Sequence, residues 1–331
     1  MAARAWFAAF ALQLALAAWM SVRWRVGGPV CDSGCQAAAL AGVFAAVLCA
    51  VQLAFAAITM MLASVPQELA GASQSKSSMW ARVVDVARRT SVVLREALAF
   101  GVSQCLMATE GLVTRSWADR PGSGRAPVLL IHGVYCNRAV WWAMRRRLWA
   151  AGVGPILAIN LEPPGAAIDA HRAAVWGALQ RLRALDARFP ITIVAHSMGG
   201  LIARSALTDP PSNVPRPAQL ITIATPHHGS LHARACLGGA CVDMRPGSAW
   251  MRHNSSSHLP CSVTSIFSID DNLVAPRSSA TALGPAARTM AFRALGHFGL
   301  LWSSRVAAAV VAELSALTAP RGAASVAPQL P

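Results

Sequence analysis

The sequence predicts an α/β protein: a mostly parallel central sheet flanked by helices, with an α-helical transmembrane hairpin in front of it. Three observations carry this expectation. Two long uncharged apolar runs stand near the N-terminus, the texture changes after residue 126 to short apolar strands alternating with helical patterns, and one of those strands runs through a tight small-residue turn into a helix. Of 331 residues, 55% are hydrophobic and 13% charged. That charged share is about half of what a soluble domain carries, so part of the chain is expected in lipid.

Residues 5–22 and 36–64 form the two apolar runs, and each can cross a bilayer, which takes roughly 20 residues in a helix. The first also resembles a secretory signal, with Arg4 ahead of it and small residues at Ala15 and Ala17. Trp19 and Trp24 stand where interfacial anchors belong, however, and a second run follows at once, which favours a hairpin over residues 1–66. Residues 67–125 then read as a connector. Its part at 71–78 is a Ser-rich linker, and 79–112 set Arg82, Arg88, Arg89 and Arg95 among apolar residues at helical spacing. Such a helix lies on the membrane or, the plainer reading, packs against the domain that follows. Pro and Gly at 119–126 mark the boundary.

From residue 126 to 318 the α/β domain is laid out in order. Strands are expected at 128–131, 156–159, 191–194, 220–223 and 263–269, with a short strand-like stretch at 289–293; helices are expected at 139–151, 169–188, 199–207 and 303–317. Residues 319–331 are Pro/Ala-rich and read as a disordered tail.

Charge and cysteine content exclude some classes. The net charge of +15 is scattered over single Arg residues and short groups such as Arg145, Arg146 and Arg147, without the fold signature of a nucleic-acid module, so no nucleic acid is expected as partner. An anionic membrane lipid surface fits the excess better. The eight cysteines show no zinc spacing, and either Cys31 with Cys35 or Cys236 with Cys241 suits a disulfide in an oxidising compartment. Basic residues near the span ends number three on one side (Arg4, Lys76, Arg82) and two between the spans (Arg23, Arg25). This places the chain in a bacterial cytoplasmic membrane with the α/β domain on the cytoplasmic side, where Cys136, Cys236, Cys241 and Cys261 would stay reduced.

The strongest chemical signal is the run from Ile191 to Gly200, I-T-I-V-A-H-S-M-G-G, a buried strand leading into a helix. It is a nucleophile elbow of the G-x-S-x-G form with Ala195 at the first glycine, and small residues are needed because the turn is tight and forces Ser197 to its apex. A serine hydroxyl needs a base, and the base needs an acid to orient it. Chains built on such an elbow place them in the order serine, acid, histidine. Asp209 comes too early, Asp243 lies in an irregular stretch and Glu313 follows the last histidine, which leaves Asp270 and Asp271 at a strand's C-terminal end and His297 as the one histidine after them. The oxyanion donors expected are the backbone N–H of Met198, at a helix N-terminus, and that of Val134 in the His132-Gly133-Val134 loop.

These residues resemble bacterial lipases of the α/β-hydrolase superfamily, especially the minimal group whose elbow reads A-H-S-M-G. The similarity runs over residues 127–317 and is carried by H-G-V at 132–134, A-H-S-M-G-G at 195–200, S-I-F-S-I-D-D-N-L-V at 265–274 and G-H-F-G-L-L at 296–301; T-P-H-H-G-S at 225–230 resembles a turn of larger bacterial lipases. The resemblance implies the α/β-hydrolase fold, selects Asp271 over Asp270 as the triad acid, and implies hydrolysis of ester or lipid substrates through an acyl-enzyme without a cofactor. Larger relatives often carry a structural calcium, but no matching acidic cluster exists beyond Asp270 and Asp271, so no metal is expected. This chain departs from the minimal lipases in its membrane-like N-terminus and in the Cys-containing stretch at 231–260, which is placed to cover the site. The function expected is therefore that of a membrane-anchored lipase or carboxylesterase. A thioesterase or other acyl hydrolase with the same triad, and a non-catalytic membrane scaffold on a hydrolase fold, are the alternatives. Oligomeric state has no trace in the sequence.

Overall fold

The computed structural model describes residues 52–54, 57–61, 79–117, 126–254, 259–281 and 287–318. The expected span at 5–22, most of that at 36–64, the linker at 71–78, Cys31, Cys35 and the tail after residue 318 lie outside them.

The main helices are α1 (Met79–Ala108), α2 (Trp142–Ala150), α3 (Arg172–Leu185), α4 (Met198–Thr208) and α5 (Ser304–Thr318). Six strands, β1 (Val128–Ile131), β2 (Ile156–Ile159), β3 (Thr192–His196), β4 (Gln219–Ile223), β5 (Ser262–Ser268) and β6 (Arg288–Phe292), form one sheet in the order β2-β1-β3-β4-β5-β6. Every neighbouring pair is parallel. Strands β1 to β4 are buried along their whole length, and both faces are covered, which is why they read as unbroken apolar runs rather than as alternation. Leu129, Ile131 and Ile193 face a core shared with α3 and α4, while Val128, Leu130 and Val194 face a second one shared with α2 and α5. The strand order reverses between β1 and β3. In an open parallel sheet the crevice beyond the carboxyl ends at such a reversal is where ligands bind.

Element ends differ from expectation for local reasons. The helix expected at 139–151 opens as a 3-10 turn, Arg138–Trp141, because the Asn137 side chain accepts from Ala139 N at 3.1 Å and caps it there. The helix expected at 169–188 likewise opens on the 3-10 turn Ile168–His171, and α3 stops at Leu185. Beyond that point Asp186 is extended and its carboxylate takes Arg188 N at 2.9 Å, offering the backbone an alternative to the helix.

Helix α1 packs on the α/β domain. Val92, Glu96, Phe100 and Ser103 lie at helical spacing on one face and are all buried. Phe100 meets Phe298 edge-on with ring centroids 4.9 Å apart, and Trp302 Nε1 donates to Ser103 Oγ at 3.0 Å. Farther along, Asn137 Nδ2 donates to Met107 O at 3.0 Å, and Glu110 accepts from Arg138 Nε at 2.6 Å and Asn160 Nδ2 at 3.1 Å. The stretch Val84–Ala108 is long and apolar enough to cross a membrane, yet its inner face belongs to the domain, leaving Val84, Leu94 and Leu98 exposed on the outer one. Residues 57–61 are helical too, and Thr59, buried, accepts from Asn272 Nδ2 at 2.7 Å. The end of the second expected span thus rests on the domain.

One expectation is corrected. Cys236 and Cys241 are not reduced but joined in a disulfide, with Cα atoms 5.6 Å apart. A bond of this kind persists in an oxidising compartment.

Candidate active site

The turn between β3 and α4 places Ser197 at φ 54° and ψ −126°, outside the regions open to ordinary L-residues. The surroundings hold it there. Ser197 N donates to Ile223 O at 2.8 Å, and Ser197 O accepts from Thr225 Oγ1 at 2.9 Å and from Gly200 N at 3.1 Å. Close packing explains the glycines that follow: a Cβ on Gly199 would stand 2.5 Å from the Ile131 and His132 carbonyl oxygens, and one on Gly200 2.1 Å from Thr225 Oγ1. Ala195, where the motif has its first glycine, is accommodated in the core.

The loop after β1 lies against the serine, since a Cβ on Gly133 would be 3.0 Å from Ser197 Cβ. Among the described residues neither Val134 N nor Met198 N donates to another backbone carbonyl. Met198 opens α4, where unpaired N–H groups concentrate partial positive charge. His132 organises this loop. Its Nε2 accepts from Leu161 N at 3.2 Å, so Nδ1 carries the proton and donates to Gly133 O at 2.9 Å, and burial lowers its pKa to about 4.

His297 follows β6 and meets Asp271 at the end of β5. Its Nδ1 lies 2.9 Å from Asp271 Oδ2 and 3.1 Å from Oδ1. Oδ1 also accepts from Leu273 N at 2.8 Å and Val274 N at 2.9 Å. Burial alone would raise the Asp271 pKa, but the facing imidazole and those two amides together hold it below the usual carboxylate range. For His297 burial opposes protonation and the Asp271 carboxylate outweighs it, leaving the pKa above its ordinary value. Asp270 turns elsewhere: it pairs with Arg88 of α1 and accepts from Ala294 N at 2.7 Å. Of the two adjacent acids, the structure brings Asp271 to the histidine.

Ser197 and His297 line one apolar pocket of about 160 Å³, far more than the roughly 10 to 15 Å³ that a water needs. Val134 and Gly133 line it as well, the stretch at 231–260 contributes His232 and Met244, and the N-terminal region contributes Thr59, Phe100, Gln104 and Met107. Sequence reasoning missed this last wall and Glu96, which is fully buried beside the histidine loop. A signal was present. Glu96 is a carboxylate on the same helical face as Val92 and Phe100, and an acid in an apolar stripe calls for a buried partner.

Residues 181–235, from the end of α3 through the elbow and β4, match the PGAP1-like alpha/beta domain. The crystal structure of Aspergillus fumigatus lipase B superposes with a TM-score of 0.51 and 20% identity, covering 59% of this chain and 54% of that one. The chain has the α/β-hydrolase fold. It spans about half the length of the Aspergillus lipase. The mature Bacillus licheniformis lipase BlEst2 is similar over 60% of this chain and 94% of its own, at 17% identity and a TM-score of 0.48. Among curated proteins none matches the sequence. In this hydrolase fold Ser197 occupies the end of β3 and Asp271 the end of β5, with His297 in the loop after β6.

Proposed function

We propose that the chain is a membrane-anchored serine hydrolase that cleaves carboxylic esters of lipids. The observation that carries this reading is the buried His297–Asp271 pair, opening onto the same apolar pocket as a serine held at φ 54°. With Nδ1–H donated to Asp271, Nε2 of His297 is left as the base. Ser197 Oγ attacks the ester carbonyl carbon as its proton passes to Nε2, and the oxyanion is met by the N–H groups of Val134 and Met198. The imidazolium returns the proton to the leaving alkoxide oxygen, freeing the alcohol and leaving an acyl-serine. Water, deprotonated by the same nitrogen, then releases the acid and restores Ser197. Asp271 holds the ring's tautomer throughout and stays ionised.

The pocket's apolar walls suit an acyl chain. Its N-terminal wall includes Thr59, from the second apolar run, so the site opens next to the segment read as a membrane span. The runs at 5–22 and 36–64 serve as the anchor, and the Cys236–Cys241 bond favours the oxidising side of that membrane. The test is a chain-length series of p-nitrophenyl esters and triglycerides on the full chain, with fluorophosphonate labelling beside it. Wild type should label and turn over while Ser197→Ala does neither. Equal labelling of the two would sink the assignment.

A further inference from the structure

Helix α1 lies ahead of the stretch at 127–317 that carries the lipase-like motifs and of the matched residues 181–235, yet it reaches the histidine loop through a single carboxylate. Glu96 Oε1 accepts from Phe298 N at 2.8 Å and Oε2 from Gly299 N at 2.8 Å, the two amides directly after His297. His297 N itself donates to Asn272 Oδ1 at 2.9 Å, and Asn272 is held in turn by Thr59. The fit is close on the other side as well: a Cβ on Gly296 would stand 2.3 Å from Glu96 Oε2. The loop bearing the base is therefore suspended between Asn272 and a carboxylate from α1.

We propose that Glu96 is a positioning residue for His297, fixing the histidine's backbone through two amide bonds and, when ionised, favouring the imidazolium that forms in each acyl transfer. The proposal rests on the reading of Ser197, His297 and Asp271 as the working triad. The groups facing Glu96 are few. His297 and Asp271 act on it from the loops after β6 and β5, and His196 at the end of β3 lies behind His297, ring centroids 4.6 Å apart, kept neutral by burial. Arg88, two turns earlier on α1, is engaged with Asp85 and Asp270. Burial raises Glu96 to about 7, against the pull of the two amides and of His297, so it changes charge in the range where the histidine works. A residue that merely capped the short helix Gly299–Trp302 would leave the histidine's titration untouched.

The test uses the full chain in detergent, with isotope-labelled histidine, as wild type, Glu96→Gln and Gly296→Ala. NMR follows the His297 imidazole against pH, assigned by loss of its signal in His297→Gln, and fluorophosphonate labelling is timed over the same range. Glu96→Gln should lower the His297 midpoint by about one pH unit, move the acid limb of labelling down with it, and slow labelling at pH 8 by roughly tenfold. An unchanged midpoint in the folded variant overturns the proposal, whatever its labelling rate. If Glu96→Gln does not fold, Gly296→Ala decides on the same readings, because it displaces the carboxylate and keeps its charge. A wild type inert to fluorophosphonate would refute the hydrolase reading; a shifted midpoint would still uphold the coupling of Glu96 to His297.

Discussion

Asp270 and Asp271 are neighbours in sequence and nearly opposite in consequence, because the turn that follows β5 brings Asp271 to His297 and Asp270 to Arg88 and Ala294 N. Asp271→Asn should lower kcat by about 10⁴-fold through loss of the histidine's orientation. Asp270→Asn should keep turnover within about tenfold and instead reduce stability by about 1 to 3 kcal/mol, since the amide is uncharged and its one acceptor oxygen cannot serve both Arg88 and Ala294 N; parallel turnover and melting measurements separate the two. Acidity gives a second residue-level prediction. Glu96 has a folded pKa raised from 4.5 to about 7, so its contribution to stability is full below its unfolded value and is lost as pH rises through 7, a loss of about 3 kcal/mol. His297, also raised, contributes with the same sign. Histidines that burial keeps neutral, among them His132, His196 and His227, act with the opposite sign because their folded pKa is lowered, so the reading is a difference: from pH 5 to pH 8 the Tm of Glu96→Gln should rise relative to that of wild type. A difference between the two that stays constant over this interval would contradict the burial of an ionisable acid here.

At the scale of the element, α1 is as much a part of the site as of the chain ahead of the α/β domain. Phe100, buried against Phe298, belongs to the helix and to the pocket wall at once. Phe100→Ala should cost about 3 kcal/mol, a drop in Tm of roughly 5 to 10 °C for a domain of this size, read by calorimetry. A chain beginning at residue 126 keeps every strand and the whole triad but loses Glu96, Arg88 and one wall of the pocket. Its fluorophosphonate labelling should fall by at least about 100-fold against the full chain, or it should be insoluble from exposure of the face that α1 covers. Full reactivity of that fragment would show that α1 is dispensable.

For the whole molecule, under the proposed membrane anchoring, the disulfide and the basic-residue count point to opposite faces, and the covalent bond is the stronger argument. Alkaline phosphatase fused to the C-terminus of the full chain should be active, and a fluorescent protein at the same place dark. Thiol alkylation of intact cells should modify Cys236 and Cys241 only after reduction. Fluorescence without phosphatase activity would return the domain to the cytoplasm.

Much of the architecture is local physics, and so was legible in the chain. The β1 and β2 limits coincide with their apolar runs because a strand buried on both faces must be apolar throughout, and the elbow is visible because Gly199 and Gly200 have no room for a side chain. His297 follows from order alone, as the one histidine after the last strand-end acids. Other features depend on which distant residues meet. Whether Asp270 or Asp271 faces the imidazole depends on the turn that follows β5, and what holds the other depends on Arg88, 182 residues away. Glu96 meets the histidine loop across 202 residues, and no periodicity or spacing along α1 can announce a partner so far along the chain. Local pattern records what a segment buries; only the packed fold brings its partner to it.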